Sequence, residues 1–320
     1  MAMSSKKQKS LYHYCSLDTF LNIIKNSSIW LSDIQKSNDS REMAWFREKY
    51  YDFILDKYNN TDDLTVKSIC ELILSMAVTD GYEKCPLWLL PATKTNSEEI
   101  ANTFFSLRTY AFCHSELPDS LGQWRGYADN GCGVAIGFSR EYLDAISGYS
   151  LRCPSFNFLI GSISYRTNFS SLFEKMFDIH DKNKFDEFIL KSMIDLTRTS
   201  ALFKHPSFKE EKEWRIIYSM DYYGLNRDIL TFKDFRSISS DKYKKNFSDP
   251  KIDYIAKGGN MIPHIEIKFN DLPKAIESII IGPKCEATEK DIRHVLLRFG
   301  VLDSFEDSKI KIVRSASSYR

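Results

Sequence analysis

An α+β fold is the class that the sequence predicts, and three observations lead to it. Short strand-like runs occur from residue 11 to the end of the chain. Longer segments with apolar residues at helical spacing lie between them. Neither an internal repeat nor a clear linker divides the 320 residues. We therefore expect a single α+β domain over residues 1–320, with helical insertions at about 40–110 and 166–203.

Composition and charge exclude several classes of protein. The net charge of +1 gives no bulk electrostatic reason to bind nucleic acid or membranes. Seven cysteines, an odd number without any CxxC pair, disfavour a disulfide framework and a structural zinc site. No segment resembles a signal peptide or is apolar enough to cross a bilayer. We expect a cytoplasmic protein without a membrane partner.

The first quarter of the chain predicts a strand, a helix and a second strand. LYHYCS at 11–16 has strand character, and Ser16 is placed to cap a helix over 17–26. IWLSDI at 29–34 predicts a strand that returns alongside the first. A polar turn at 37–40 then precedes a long helix, whose apolar stripe contains Met43, Phe46, Tyr50, Phe53 and Ile54.

The remaining elements follow from periodicity and turn residues. Asp129-Asn130-Gly131 predicts a tight turn, because Asn and Gly tolerate positive φ. Thr288 and Asp291 have the spacing of a capping box. Helices are expected near 64–78, 97–109, 121–127, 140–147, 170–203 and 288–299, and strands near 110–115, 133–138, 160–165, 211–218, 264–270, 275–283 and 310–317, with a polar loop at about 221–260.

Two glutamates in KHPSFKEEKEWRIIYS are the first candidate catalytic residues. Glu211 and Glu213 are two residues apart, so on a strand their carboxylates would share one face with Arg215. Trp214 and Ile216 would face the core. The same pattern also fits a surface strand with an ordinary Glu–Arg pair, and the residues alone do not decide between the two.

Other polar residues lie near predicted strand ends, where sites are commonly built. His13 is either a hydrogen-bonded packing residue or a ligand donor. Ser115 ends a strand close to the helical turn that carries Trp124 and Tyr127. These two rings either attach the turn to the sheet or stack on a ligand.

Common catalytic motifs are absent from the sequence. There is no GxxxxGK[ST] loop, no GxGxxG, no HExxH and no GxSxG. Phosphate-loop hydrolysis, serine hydrolysis and a metal cluster are therefore weakly supported, and we expect no metal.

Four stretches resemble a bacterial domain-of-unknown-function family, number 2971. The first is LYHYCSLDTFLNIIKNSSIWLSDIQKSNDSREM, and the others are FCHSELPDSLGQWRGYADNGCGVAIGF, EEKEWRIIY and IIIGPKC. Residues in the first that match the family pattern are His13, Tyr14, Ser16, Ser32, Asn38, Asp39 and Glu42, with Ser40 where the family often has proline. The family name implies no activity.

The order of these stretches is similar, at the level of the fold, to ADP-ribosyltransferases. That resemblance implies two small antiparallel or mixed sheets that form a cleft for NAD. It implies Glu213 as the catalytic residue, because Trp214 anchors it, with Glu211 beside it. It also implies cofactor-binding residues (His13, Tyr14, Ser16, Ser32, Ser115, Trp124 and Tyr127) and a substrate loop (Lys204, His205 and Phe208). This sequence lacks the Ser-Thr-Ser motif of such enzymes and has Cys113-His114-Ser115 instead.

Three functions remain open from the sequence. The first is an NAD-dependent ADP-ribosyltransferase, a toxin or anti-phage effector that modifies nucleic acid or protein and has an antitoxin or chaperone partner, or a related NAD glycohydrolase. The second is a non-catalytic binding or regulatory module with a structural Glu213–Arg215 pair. The third is a metal-dependent nucleic-acid enzyme that uses Asp39, Glu42 and the glutamate pair.

Overall fold

The computed structural model describes residues 10–36, 43–79, 108–147, 158–177, 192, 195–197, 199–219, 252–257 and 259–319. Four predicted features lie wholly or partly outside these residues: the turn at 37–40, the helical segment at 97–109, the helical region at about 170–203 and the polar loop at about 221–260. The prediction of a loop was wrong for the described residues Ile252–Lys257, which form a strand. In the described part of the chain, no helix combines the length and apolar character needed to cross a membrane.

Ten strands and eight α-helices make up the described structure. The strands are β1 (Leu11–Cys15), β2 (Ser28–Asp33), β3 (Thr109–Ser115), β4 (Val134–Phe138), β5 (Phe158–Ser162), β6 (Glu213–Ser219), β7 (Ile252–Lys257), β8 (Asn260–Lys268), β9 (Ile276–Ile281) and β10 (Lys311–Arg314). The helices are α1 (Leu17–Asn26), α2 (Ala44–Asn59), α3 (Leu64–Thr79), α4 (Leu121–Tyr127), α5 (Arg140–Ser147), α6 (Ser170–Met176), α7 (Leu272–Ala275) and α8 (Glu289–Arg298). Three short 3₁₀ helices span Ile34–Lys36, Asp129–Gly131 and Pro206–Glu211.

The strands form one mostly antiparallel sheet. Its order is β10-β9-β4-β1-β3-β2-β8-β7, and β6 adds to β3 with β5 beyond it. Only the β9–β10 pair among the described strands is parallel. The α+β class is therefore confirmed, whereas the described strands lie in one connected sheet rather than in two small ones.

The sheet branches at β3. One edge of β3 pairs with β6 along its whole length. The opposite edge is shared, because Ser115 lies opposite Tyr12 of β1 while Ala111 lies opposite Ser32 of β2. The expectation that β2 returns directly alongside β1 was wrong, since both strands pair with β3. Residues 112–114 lie between the two contacts.

The described structure contains two large apolar clusters. One cluster joins the sheet to α1 and α8, with fully buried residues such as Ile24, Ile136 and Leu296. The other packs α2, α3 and α6 around Phe46 and Phe173. A smaller group around Trp124 joins α4 to β1 and β4.

Local signals in the sequence agree with the element boundaries. The Ser16 side chain accepts a hydrogen bond from the Thr19 amide and caps α1, as predicted. Thr288 and Asp291 form the predicted capping box of α8. The turn at 129–131 has positive φ values of 48°, 52° and 91° in succession, which directs the chain into β4.

Candidate functional site

A left-handed residue separates the two candidate glutamates. Glu213 is the first residue of β6, whereas Glu211 ends the 3₁₀ helix that precedes it. Lys212 between them has φ 44° and ψ 51°. The prediction that both glutamates lie on one strand was therefore wrong for Glu211, because the turn at Lys212 interrupts the alternation of side chains. Their carboxylates nevertheless meet at a common cation.

Lys204 is that cation. Its Nζ lies 2.7 Å from Glu211 Oε2 and 3.3 Å from Glu213 Oε2. The Lys204 side chain is 5% exposed, so it is a buried member of the cluster rather than a surface residue of a substrate loop. The ring of Phe208 lies 4.6 Å from Nζ and covers it on one side.

Glu213 has two cationic partners. Arg215 donates from Nε at 2.6 Å and from Nη2 at 2.9 Å, and its Nη1 donates to the Ala201 carbonyl at 3.0 Å. Burial alone would raise the pKa of Glu213, but the charges of Arg215 and Lys204 outweigh burial and hold the pKa below its usual value. Glu213 is therefore an ionised carboxylate whose charge is compensated inside the protein.

Glu211 is the more accessible of the two carboxylates. Its side chain is 14% exposed, against 8% for Glu213. Tyr127, at the end of α4, donates from its hydroxyl to Glu211 Oε1 at 3.0 Å. Tyr127 is 46% exposed, so its ring borders the solvent beside this carboxylate. Ser115 donates to the Glu211 carbonyl at 2.7 Å and joins this turn to β3.

His13 lies at the branch of the sheet. Its Nδ1 is 2.8 Å from the Cys113 carbonyl oxygen, so Nδ1 carries the proton and Nε2 is the acceptor of the neutral ring. The ring stacks on Phe112 at 4.0 Å. Burial lowers the pKa of His13 to about 4, partly opposed by the bond to Cys113. His13 is therefore neutral at pH 7.

His13 and Glu213 approach the same residue from opposite faces of the sheet. Tyr12 is opposite Ser115, and Ser115 is opposite Glu213, so these three side chains share a face and His13 points to the other. Cys113, whose carbonyl accepts from His13, also provides a side-chain hydrogen bond that lowers the pKa of Glu213. Cys113 itself is exposed to solvent.

Four of the predicted cofactor-binding residues have structural partners. Tyr14 donates to the Leu117 carbonyl at 2.7 Å and accepts from the Ser120 amide at 3.0 Å. Trp124 is fully buried and donates to Asp119 at 2.6 Å, so its ring has no free face for a ligand. Ser16 caps α1, and Ser115 binds the turn at Glu211.

Ser32 and His205 have other partners than the two carboxylates. Ser32 is in β2 opposite His264. His205 is exposed, and its Nδ1 is 2.8 Å from the Ser207 hydroxyl. Asp39 and Glu42 lie outside the described residues, and within those residues no group of three or more His, Cys, Asp or Glu is arranged to hold a metal ion.

Sequence reasoning missed two residues of the site. Tyr165 accepts a hydrogen bond from the Glu213 amide at 3.0 Å. Asp119 holds the indole of Trp124 and so fixes the helix that carries Tyr127. The only sequence signal for Asp119 was its place in Pro118-Asp119-Ser120, a composition typical of turns.

Comparison with known proteins identifies a family for the middle of the chain. Residues 123–216 match the family model described as "Protein of unknown function (DUF2971)". The matched span contains Tyr127, Lys204, Glu211 and Glu213, and it supports the predicted family over this part of the chain. The stretches at 11–43 and 279–285 that also resemble the family lie outside the match. Searches of curated proteins and of solved structures gave no match.

Proposed function

We propose that this chain is an NAD-dependent, ADP-ribosyltransferase-like enzyme with its reactive centre at Glu211 and Glu213. The observation that carries the proposal is the convergence of three separate segments on one polar cluster. The end of α4 contributes Tyr127, the segment before the 3₁₀ helix contributes Lys204, and the start of β6 contributes Glu213. The exposed Tyr127 and Cys113 give a ligand access to this cluster from solvent.

The chemistry of NAD cleavage suits a fixed carboxylate. When the bond between nicotinamide and ribose breaks, nicotinamide leaves with the bonding electrons and positive charge develops on the sugar. A carboxylate close to that sugar stabilises the charge. The acceptor then bonds to the sugar carbon and gives up its proton, in transfer to a nucleic acid or protein or, with water, in hydrolysis.

The geometry favours Glu211 over Glu213 as the carboxylate that meets the ligand. Glu213 is held by Arg215 and Lys204. Among the described residues Glu211 has one cationic partner, Lys204, and it lies beside the exposed Tyr127 ring. In the proposal, Glu213 holds Lys204 in place and Tyr127 offers its ring to nicotinamide. This reverses the sequence-based preference for Glu213, which rested on its neighbour Trp214.

Incubation with labelled NAD tests the proposal. We expect the wild type to release nicotinamide and Glu211→Gln to lose about 100-fold or more of the rate, since removal of one group that stabilises transition-state charge typically costs that much. Glu210→Gln is the matched control, because Glu210 is the exposed neighbour in the same 3₁₀ helix. Absence of nicotinamide release and of label transfer with nucleic-acid and protein acceptors would overturn the proposal.

A non-catalytic binding or regulatory module is the second candidate, and one observation favours it. Glu213 is buried and doubly compensated, while His13 points to the opposite face of the sheet. In that case the wild type does not turn over NAD. Glu213→Ala then lowers stability, and no substitution in the cluster changes the NAD assay. The same assay therefore separates the two candidates.

A further inference from the structure

The segment that follows β10, residues Ser315–Tyr319, is attached to one carboxylate. Asp119 Oδ1 accepts from the hydroxyls of Ser315 at 2.6 Å and Ser317 at 3.0 Å, and its Oδ2 accepts from the Ala316 amide at 2.7 Å. Burial alone would raise the pKa of Asp119, but these bonds and the one from Trp124 outweigh it and lower the pKa. Asp119 is therefore ionised and engaged by three consecutive residues of the segment.

A second attachment lies at Tyr319. Its ring is 4.8 Å from the Arg125 guanidinium and 4.3 Å from Lys284 Nζ, and its hydroxyl donates to Asn130 at 2.5 Å. The first attachment is to the loop before α4 and the second to α4 and the turn after it. The segment therefore contacts the chain on both sides of this helix.

α4 depends on such contacts for its own order. It has seven residues, and its N-cap residue Ser120 makes no side-chain capping bond. A helix this short has little stability by itself. Besides the apolar packing of Trp124 against β1 and β4, its attachments are the Trp124 indole on Asp119, the Ser120 amide on Tyr14 and the segment just described. The last residue of α4 is Tyr127, which donates to Glu211.

We infer that the segment Ser315–Tyr319 is a releasable clamp that holds α4, and through it Tyr127, in position at the candidate site. Release of the segment removes three of the four bonds to Asp119 and both cation contacts of Tyr319. Loosening of the segment would thereby regulate the candidate site through the helix that carries Tyr127. The regulatory consequence rests on the proposed function, whereas the mechanical coupling does not.

Amide hydrogen exchange on the full chain tests the coupling. Asp119→Asn weakens the acceptor, and we expect amides of residues 124–127 to exchange about tenfold faster or more, together with those of 315–319. Ser317→Ala removes one bond and gives a smaller change of the same kind, and it remains informative if Asp119→Asn fails to fold. Ser318→Ala is the control, because Ser318 is exposed and lies between the attached residues.

Two outcomes are decisive. If 315–319 exchange faster in Ser317→Ala and Asp119→Asn while 124–127 do not, the clamp is overturned. Tyr319→Ala removes the second attachment of the segment independently of Asp119. If this substitution does not loosen α4, that result counts equally against the clamp. NAD turnover is measured in parallel. If the variants loosen residues 124–127 but the wild type does not turn over NAD, the coupling stands and only the proposed function is refuted.

Discussion

At the scale of single residues, the cluster around Lys204 concentrates two cations and two carboxylates in a mostly buried volume. Such groups stabilise a fold only while all of them are paired, because an isolated charge inside a protein loses its hydration without compensation. The consequences of removing one member are therefore larger than those of changing a surface ion pair.

Glu213→Ala is expected to lower the free energy of unfolding by about 3–5 kcal/mol. The physical reason is that Arg215, which is 1% exposed, would keep its charge without the carboxylate that binds two of its nitrogens. Urea unfolding measures the loss. Glu210→Ala, at an exposed position three residues earlier, should change stability by no more than about 0.5 kcal/mol. Equal effects of the two substitutions would contradict a buried network.

Acid sensitivity follows from the histidines at the branch of the sheet. Burial lowers the pKa of His13 to about 4 from its usual 6.5, and it also holds the pKa of His114 well below the usual value. The unfolded chain therefore binds protons that the folded one does not, so stability falls as the pH drops from about 6.5 towards 4. The pKa of Glu213 is also lowered in the folded protein, so stability falls further when the pH drops below the pKa that Glu213 has in the unfolded chain.

His13→Gln should make stability less dependent on pH over that window. Unfolding by urea at a series of pH values measures the slope, and His114 leaves part of it in place. The exposed His205 provides the control substitution, His205→Gln. An unchanged slope in His13→Gln would show that the His13 ring titrates normally in the folded protein.

At the scale of elements, two glycines near α4 have opposite surroundings. A Cβ at Gly133 would lie 2.0 Å from the Cys15 carbonyl oxygen, which is backbone and cannot move away, whereas a Cβ at Gly126 meets nothing within 4 Å. We expect Gly133→Ala to cost about 3 kcal/mol or more through overpacking. Gly126→Ala should stabilise α4 by up to about 1 kcal/mol, because alanine favours helices.

Thermal unfolding of the two variants checks this pair. The expected signs are opposite although the substitutions are the same and lie seven residues apart in the sequence. Destabilisation by Gly126→Ala would mean that α4 needs glycine for a close approach that the structure does not contain.

Elements also show which parts of the structure the sequence could predict. The cap at Ser16, the capping box at Thr288 and the turn at 129–131 were predictable, because each depends on neighbouring residues alone. The left-handed Lys212 was not, since lysine has no preference for that conformation. The pairing of β2 with β3 depends on contacts about 80 residues apart, which periodicity does not report.

Some residues of the candidate site could likewise be predicted from the sequence, and others could not. Both glutamates and Tyr127 were found from spacing and from the family resemblance, and the pairing of Glu213 with Arg215 was one of the two alternatives considered. The central position of Lys204 and the bond from Tyr165 required the fold, because they join segments whose distance in space the sequence does not give.

At the scale of the whole molecule, the sheet core and the helical cluster around Phe46 belong to one predicted domain. Phe46 is fully buried against Phe169, Phe173 and Phe203. Phe46→Ala should therefore cost about 3–5 kcal/mol. If the chain is one cooperative unit, urea transitions followed by far-UV circular dichroism and by tryptophan fluorescence should shift together.

Leu64→Ala is the control for this substitution, because Leu64 is 78% exposed at the start of α3. Separate transitions in Phe46→Ala would contradict the single domain and show that α2, α3 and α6 unfold independently of the sheet.

The branched position of β3 has a consequence for synthesis of the protein. β3 ends at Ser115, but the partner that covers one of its edges begins at Glu213, about 100 residues later. On the ribosome, that edge and its apolar residues stay uncovered until β6 has left the exit tunnel. Uncovered strand edges pair readily with other chains. A newly made chain is therefore open to aggregation through this edge while these intervening residues are being translated, and slow translation there would lengthen the risk.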